Sequence, residues 1–355
     1  MEPLSQSPEV TTIGDTISKH SKILVVQADN PDADSLGSAL ALEQILGEMG
    51  KSVYLYCGVN IPEYLRYLSG WDRVMDTPPS QFDASIIVDT SADSLLQKLH
   101  QDNGSRSMAK RPCIVLDHHQ ETTNDIAYAD VVLNRPDVSS TGELIYHLAS
   151  VLKWPLDVTS TRYIMTAILG DTQGLMNELA TPATYRVLAS IVELGVNRPE
   201  LEDQRREATK MDPRIFRYKA ALIDRTELLV DGRLAMVTVP QEEITMYSPL
   251  YNPGPLIQND MLQVQGVLVS VVIKQYDDGK ILAAIRSNFQ APIANLLASH
   301  FGGGGHAHAA GFKLLDGRPI NQVKSECCSV AQELLSNLNS KDSIHETIQH
   351  ADTSL

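Results

Sequence analysis

The stretch Ile23-Leu-Val-Val-Gln-Ala-Asp-Asn-Pro-Asp-Ala-Asp-Ser-Leu-Gly-Ser38 decides how the rest of the chain is read. Four apolar residues, Ile23 to Val26, three of them β-branched, have the length and composition of a buried strand. Pro31 and Gly37 punctuate a turn, and the stretch from Leu36 to Leu46 opens a helix. Asp32 and Asp34 therefore fall where a strand ends and a helix begins, a place whose backbone N–H groups favour anions. Either carboxylate alone reads as a helix cap. Two so close together are costly to keep ionised unless a cation neutralises them.

The same pattern recurs downstream. Ala84-Ser-Ile-Ile-Val-Asp89 and Pro112-Cys-Ile-Val-Leu-Asp117 are again apolar runs closed by an acid. Ser52-Val-Tyr-Leu-Tyr-Cys57 is a further strand, and Pro62 to Leu68 reads as a short helix. Buried strands alternating with helices predict an α/β fold whose parallel sheet is covered on both faces. Ligands of such sheets bind off the carboxyl ends of the strands. Three strands delivering acids to that one edge is more than capping requires.

Ser140-Thr-Gly-Glu143 has capping-box spacing and reads as capping rather than chemistry. A helix around 160–169 runs into Gly170-Asp171-Thr172, and Thr181-Pro182 opens a helix that stops near Gly195. Runs at 228–230, 234–239, 264–273 and 281–286 read as strands of a second, smaller α/β domain. A helix at about 291–299 precedes Phe301-Gly-Gly-Gly-Gly-His-Ala-His-Ala-Ala-Gly311. The expected organisation is a flexible tail over 1–20, a first domain over 21–197, a charged connector over 198–222, a second domain over 223–338 and a disordered polar tail over 339–355.

The chain has 355 residues, enough for two domains, and its 43% apolar content is that of a protein with an ordinary core. No apolar run reaches transmembrane length, and the N-terminus lacks a basic segment followed by an apolar one, so neither a membrane span nor a signal peptide is expected. Cys57, Cys113, Cys327 and Cys328 lack metal-type spacing and read as reduced, cytoplasmic thiols. A formal net charge of −15 argues against a protein that coats long nucleic acid, though not against phosphate substrates met through metal ions.

Asp117-His118-His119 adds imidazole to the carboxylates already gathered. Asp32, Asp34, Asp89, Asp171 and His118 form an oxygen and nitrogen ligand set without thiolate, which suits manganese or magnesium better than structural zinc. Such a set can hold two ions about 3.5–4 Å apart, a clamp for a phosphoryl group that also activates a water. Glycines 302 to 305 would let backbone N–H groups approach an anion. Tyr54, Tyr56, Tyr64 and Tyr67 suggest a stacking platform, but strand and helix packing explains them equally well.

Asp-x-Asp after the first strand, Asp89 after another, Asp117-His-His after a third and Gly170-Asp-Thr on a later helix resemble, in order, the motifs of the DHH phosphoesterase family. The segment from Gly302 to Gly311 is similar to the DHH-associated C-terminal domain of its NrnA-like oligoribonuclease and pAp-phosphatase branch. The resemblance spans roughly residues 20 to 335. It implies an active site in the cleft between the two domains and two Mn²⁺ ions, with Mg²⁺ or another divalent ion as a substitute. Asp89 would bridge the ions, Asp34, His118 and Asp171 would complete one, and Asp32 would belong to the other. His119 would act at the scissile phosphate, with Asp117 behind it. Arg286, Ser287, Gly302, Gly303, Gly304, Gly305 and His306 would hold the substrate's phosphate or terminal nucleotide. His308 carries no motif.

Implied substrates are short oligonucleotides, linear dinucleotides of the pApA type, or pAp, and a homodimer is compatible with the resemblance. Inorganic pyrophosphate or polyphosphate hydrolysis is the alternative within the superfamily. One departure stands out. The family's first motif reads His-x-x-Pro-Asp-x-Asp, and the histidine position is Ala28 here. The ion expected at Asp32 thus loses a nitrogen ligand unless Gln27, Asp29 or water replaces it. A catalytically weak nucleotide-binding protein is the reading that this loss motivates.

Overall fold

A computed structural model describes residues 4–120, 125–248 and 251–351, with side chains followed to 338. It divides into two compact units, Met1–Lys210 and Met211–Leu355.

The first unit opens with α1 (Pro8–Lys19), where a flexible tail is expected over 1–20. Val10, Ile13 and Ile17 recur at helical spacing and are buried in the main core of the unit, a stripe diluted in the sequence by threonine, glycine and aspartate. Then come β1 (Lys22–Val26), α2 (Ala33–Glu48), β2 (Ser52–Tyr56), β3 (Val74–Met75) and β4 (Ala84–Val88). The expected short helix near Pro62 is a single 3₁₀ turn, Glu63–Leu65. After α3 (Gln97–Gln101) and α4 (Gly104–Met108) follow β5 (Cys113–Asp117) and β6 (Val131–Asn134). Four helices complete the unit: α5 (Thr141–Leu152), α6 (Val158–Asp171), α7 (Pro182–Glu193) and α8 (Arg198–Ala208).

The six strands form one sheet in the order β3-β2-β1-β4-β5-β6, parallel throughout. Along β1, Ile23 and Val25 face the core built with α1, α2, α5 and α6, while Leu24 and Val26 face Phe82, Leu99 and Met108. Both faces are covered, as the unbroken apolar runs require. The chain turns from building leftward to building rightward between β1 and β4, and this switch point lies between the two strands that precede Asp32 and Asp89.

The second unit contains α9 (Pro213–Asp224), β7 (Glu227–Leu229), β8 (Leu234–Val239), α10 (Gln241–Tyr247), α11 (Pro253–Leu262) and β9 (Val269–Gln275). It continues with β10 (Ile281–Ser287), α12 (Ala294–His300), β11 (Gly304–His306), β12 (Ala309–Leu314) and α13 (Ile320–Ala351). Its sheet runs β11-β12-β10-β9-β8-β7 and is mixed, with β8 and β9 parallel and the other pairs antiparallel. Leu234 and Met236 pack in the core with α12 and α13, and Ala235, Val237 and Val239 in the one with α9 and α11.

The stretch 198–222, expected as a connector, is resolved into α8 of the first unit and most of α9 of the second. The expected tail over 339–355 continues α13 as far as Ala351, and 352–355 lie outside the described residues. All four cysteines are free thiols. Among the described residues, no helix is long and apolar enough to cross a membrane.

Candidate active site

Asp34 is fully buried in the first turn of α2 and would be strongly destabilising without donors. It has three. Ser38 Oγ donates to Oδ1 at 2.9 Å, Thr141 N to Oδ2 at 2.7 Å and Gly142 N to Oδ1 at 2.9 Å. The last two are the first amides of α5, so the helix whose start reads as mere capping also binds an anion. Ser140 does cap α5, accepting from Glu143 N at 3.0 Å, whereas the Glu143 carboxylate accepts from Ser139 N at 3.0 Å instead of closing the box.

Asp89 follows β4 with φ +64°, a left-handed conformation that an aspartate adopts at some cost and that turns the chain sharply off the strand. Its Oδ1 lies 3.3 Å from Thr141 Oγ1, which donates to it. Asp171 is the last residue of α6. His118, immediately after β5, is buried, and its Nε2 lies 2.8 Å from Asp171 Oδ2, 3.5 Å from Asp34 Oδ2 and 3.7 Å from Asp89 Oδ1. None of these contacts is aligned as a hydrogen bond to Nε2.

The four side chains therefore present one ligand atom each within 4.8 Å of one another. A buried ring nitrogen that faces three carboxylates without a hydrogen bond fits a cation ligand, and the donor set of oxygens and one imidazole fits a hard or borderline divalent ion. Electrostatics agree. Burial, then the neighbouring Asp34, Asp32 and Asp171, push the Asp89 carboxyl well above its ordinary range. Burial also pushes Asp171 up to about 6. His118 goes up to about 9, because contact with Asp171 and the charges of Asp34 and Asp171 outweigh burial. These groups resist sharing one negative cluster, and a cation relieves that.

His119 stands half in solvent, with Nδ1 2.8 Å from Asp117 Oδ1 and its ring 4.6 Å from that of His118. Asp117 is buried and also accepts from Ser91 Oγ at 2.7 Å and His118 N at 2.8 Å. Burial raises the Asp117 carboxyl, but these bonds outweigh it and hold the group below its usual range. Its task is to fix the turn and the His119 ring.

Asp32 stands apart. Its Oδ1 caps α2, accepting from Asp34 N and Ser35 N at 3.0 Å each, and it is not among the four converging ligands. Ala28 contributes only a methyl, and the Asp29 Oδ2 accepts from Lys98 N at 2.9 Å. Gln27 is fully buried, and neither polar atom of its side chain has a partner among the described residues.

Close helix packing sets these distances. A Cβ at Gly37 would lie 2.8 Å from the Tyr163 carbonyl, and one at Gly170 would lie 2.7 Å from Ala33 Cβ. Glycine at these two positions lets α2 and α6 approach until Asp34 and Asp171 share one ligand cluster.

In the second unit, the expected phosphate-binding residues meet by register. Arg286 on β10 pairs with Ala309 on β12, which pairs with His306 on β11, so the arginine and histidine flank a small residue on one face of the sheet. Both are exposed. The glycine run is only in part a loop. Gly302 N donates to Ser299 O and Gly303 N to Ala298 O, at 2.9 Å each, closing α12, while Gly304 and Gly305 enter the edge strand β11. Gly302 and Gly303 thus spend their amides within the chain. Ser287 is buried and donates its Oγ to Ala307 O at 3.1 Å. Unforeseen beside them, Phe289 is 91% exposed and stacks on His308, ring centres 5.9 Å apart.

A family model described as the DHH family, N-terminal domain, matches residues 22–170, and the DHHA1 domain matches 253–337. The chain carries a DHH-family N-terminal domain followed by a DHHA1 domain. The resemblance read from the motifs and the α/β architecture are both borne out. Two curated proteins named NrnA are similar to the chain along most of their length. The bifunctional oligoribonuclease and PAP phosphatase NrnA of Bacillus subtilis is 24% identical over 322 residues, covering 90% of this chain and 97% of that protein. The protein of the same description from Thermus thermophilus is 25% identical, with 86% and 88% covered. Among solved structures, an exopolyphosphatase-related protein from Bacteroides fragilis matches with a TM-score of 0.74 over 93% of this chain and 97% of its own, at 19% identity, a likeness of fold.

Proposed function

We propose that this protein is a Mn²⁺-dependent phosphoesterase that hydrolyses short oligonucleotides, linear dinucleotides of the pApA type, or pAp. The observation that carries the reading is the convergence of Asp34, Asp89 and Asp171 on the unpartnered Nε2 of buried His118. A divalent cation held there supplies Lewis acidity, lowering the pKa of a bound water and drawing charge from a phosphoryl oxygen. The chain's own residues do the rest. The α5 amides and Ser38 hold the Asp34 carboxylate in place. Asp117 holds His119 by Nδ1, which leaves Nε2 to orient the scissile phosphate or protonate the leaving oxygen. Arg286 and His306 are assigned the substrate's phosphate or terminal nucleotide.

The names of the relatives support short nucleotide substrates. So does the net charge of −15, since a long polymer would want a basic track. The test is release of AMP from pApA with Mn²⁺ by the wild-type chain and by Asp89→Ala. The variant is expected to fall at least a hundredfold, and a wild-type rate would overturn the assignment. Phosphate released from pyrophosphate with no AMP from pApA would point to a pyrophosphatase instead.

A second reading has its own observation. With Ala28 in place of a ligand, Asp29 engaged by Lys98 and Asp32 outside the cluster, a second ion has few side chains to hold it. A one-ion protein that binds nucleotide without turning it over would show tight pApA binding and turnover no faster than Asp89→Ala.

A further inference from the structure

A cavity of about 800 Å³ in the first unit is lined by Asp32, by Asp171 of the acidic cluster, and by residues of α8 and of the 3₁₀ turn at 63–65. We propose that this cavity is a nucleotide subsite, in which Tyr64 and Tyr67 receive an aromatic base and Arg198 and Arg206 receive a phosphate on that nucleotide. The proposal rests on the phosphoesterase reading and narrows its substrate to one carrying a base next to the scissile phosphate.

The volume is in the usual range for small-molecule sites. The structure sorts the four tyrosines that strand and helix packing could equally have explained. Tyr56 is fully buried in the sheet core and Tyr54 packs against it, whereas Tyr64 and Tyr67 line the cavity. The Tyr64 side chain is 48% exposed. Tyr67 is half-buried, and burial pushes its hydroxyl up to about 12, so it stays a neutral ring with a donor. Such rings stack on nucleobases with little regard to which base is present.

The lining also has a basic part on α8. Arg198, Arg205 and Arg206 form it with a single acid, Glu202, in a chain that otherwise carries a large negative surplus. Glu202 is not shared equally. Arg205 engages it through two nitrogens at 2.8 Å each, whereas Arg206 reaches it by Nε alone at 2.8 Å. The terminal nitrogens of Arg206 therefore remain for a ligand, and Arg198 has no partner among the described residues. Guanidinium groups of this kind bind phosphate by paired hydrogen bonds. One cavity thus brings together acids, aromatic rings and arginines. Inorganic pyrophosphate would have no use for the rings.

The experiment compares wild type, Tyr64→Ala, Tyr64→Phe and Arg206→Gln in the full-length protein with Mn²⁺, measuring KM and kcat for pApA. Both altered side chains are exposed, so folding is not at stake. The expected result is KM raised about tenfold in Tyr64→Ala and in Arg206→Gln with kcat within twofold, and near-complete recovery in Tyr64→Phe. KM within twofold of wild type in both variants overturns the subsite and leaves the phosphoesterase reading standing. If wild type releases no AMP, that reading fails, and equilibrium binding of 5′-AMP decides the subsite separately. Binding of 5′-AMP weakened by Tyr64→Ala, with ribose 5-phosphate binding unaffected by it, supports the subsite. No binding of 5′-AMP, or binding indifferent to both substitutions, overturns it.

Discussion

Adding one methyl group at Gly170 should damage the site more than the fold. In the last turn of α6, glycine costs about 1 kcal/mol relative to alanine on helix propensity alone, so Gly170→Ala would ordinarily stabilise. Here the new Cβ would stand 2.7 Å from Ala33 Cβ and 3.7 Å from Asp34 N. Carbon atoms in contact want about 3.5–4.0 Å, so the helices must part by roughly 1 Å. Neither methyl has a rotamer to escape into, and the opening falls on the backbone. Overpacking of this kind costs about 1–3 kcal/mol, which outweighs the propensity gain. The larger effect is on geometry. Asp171 adjoins Gly170 and Asp34 follows Ala33, so the separation of two ligands grows directly. A displacement of about 1 Å at reacting groups can cost about a hundredfold in rate. The assay is urea unfolding together with Mn²⁺ titration and pApA turnover, set beside Gly47→Ala, where a Cβ would meet nothing within 4 Å. Gly47→Ala should gain up to about 1 kcal/mol and keep full activity. Gly170→Ala should lose up to about 2 kcal/mol, together with Mn²⁺ affinity and most of its turnover. A Gly170→Ala protein as stable and as active as Gly47→Ala would refute the claim that helix spacing sets the ligand cluster.

Three further outcomes are expected. Ala28→His should raise activity at limiting Mn²⁺ by restoring a nitrogen ligand near Asp32, and an unchanged Mn²⁺ dependence would mean that another group already serves there. His306→Ala removes an exposed side chain from the edge strand β11 and should raise KM for pApA more than it lowers kcat, with unfolding unchanged; a kcat loss without a KM change would contradict the binding role. Burial raises the Glu143 carboxyl, but the nearby His147 ring and hydrogen bonds from Ser139 and Thr184 outweigh it and hold its folded pKa below the ordinary value. Its stabilisation is therefore complete above the unfolded pKa of about 4.3 and drains away as pH falls through the folded value, so Glu143→Gln should lower stability at pH 7 by about 1.5–3 kcal/mol and flatten the acid limb of the unfolding curve. Parallel acid limbs in the two proteins would count against it.

The α/β class, the parallel sheet and the residues of the candidate cluster were legible in the chain, because each rests on a local signal. Val25 and Ile86 announce buried strands by their neighbours alone, and Asp89 and His118 announce themselves by ending such strands. Helix α1 was missed for the converse reason, since three apolar residues among polar ones are a weak stripe until a core exists to receive them. The glycine run promised free amides, but two of them close α12 and two of its glycines extend a sheet edge.

What tertiary structure alone decided is which groups share a bond. Thr141 N meets Asp34 across 107 residues, and no feature of Ser140-Thr-Gly-Glu143 hints at it. The separation of Asp32 from the four converging ligands, and the sorting of Tyr64 from Tyr56, belong to the same level. Periodicities of 2 and 3.6 are written residue by residue and survive in any context. Donor and acceptor pairs depend instead on strand order and on helix spacing down to fractions of an ångström, and these exist only once the whole sheet has been assembled.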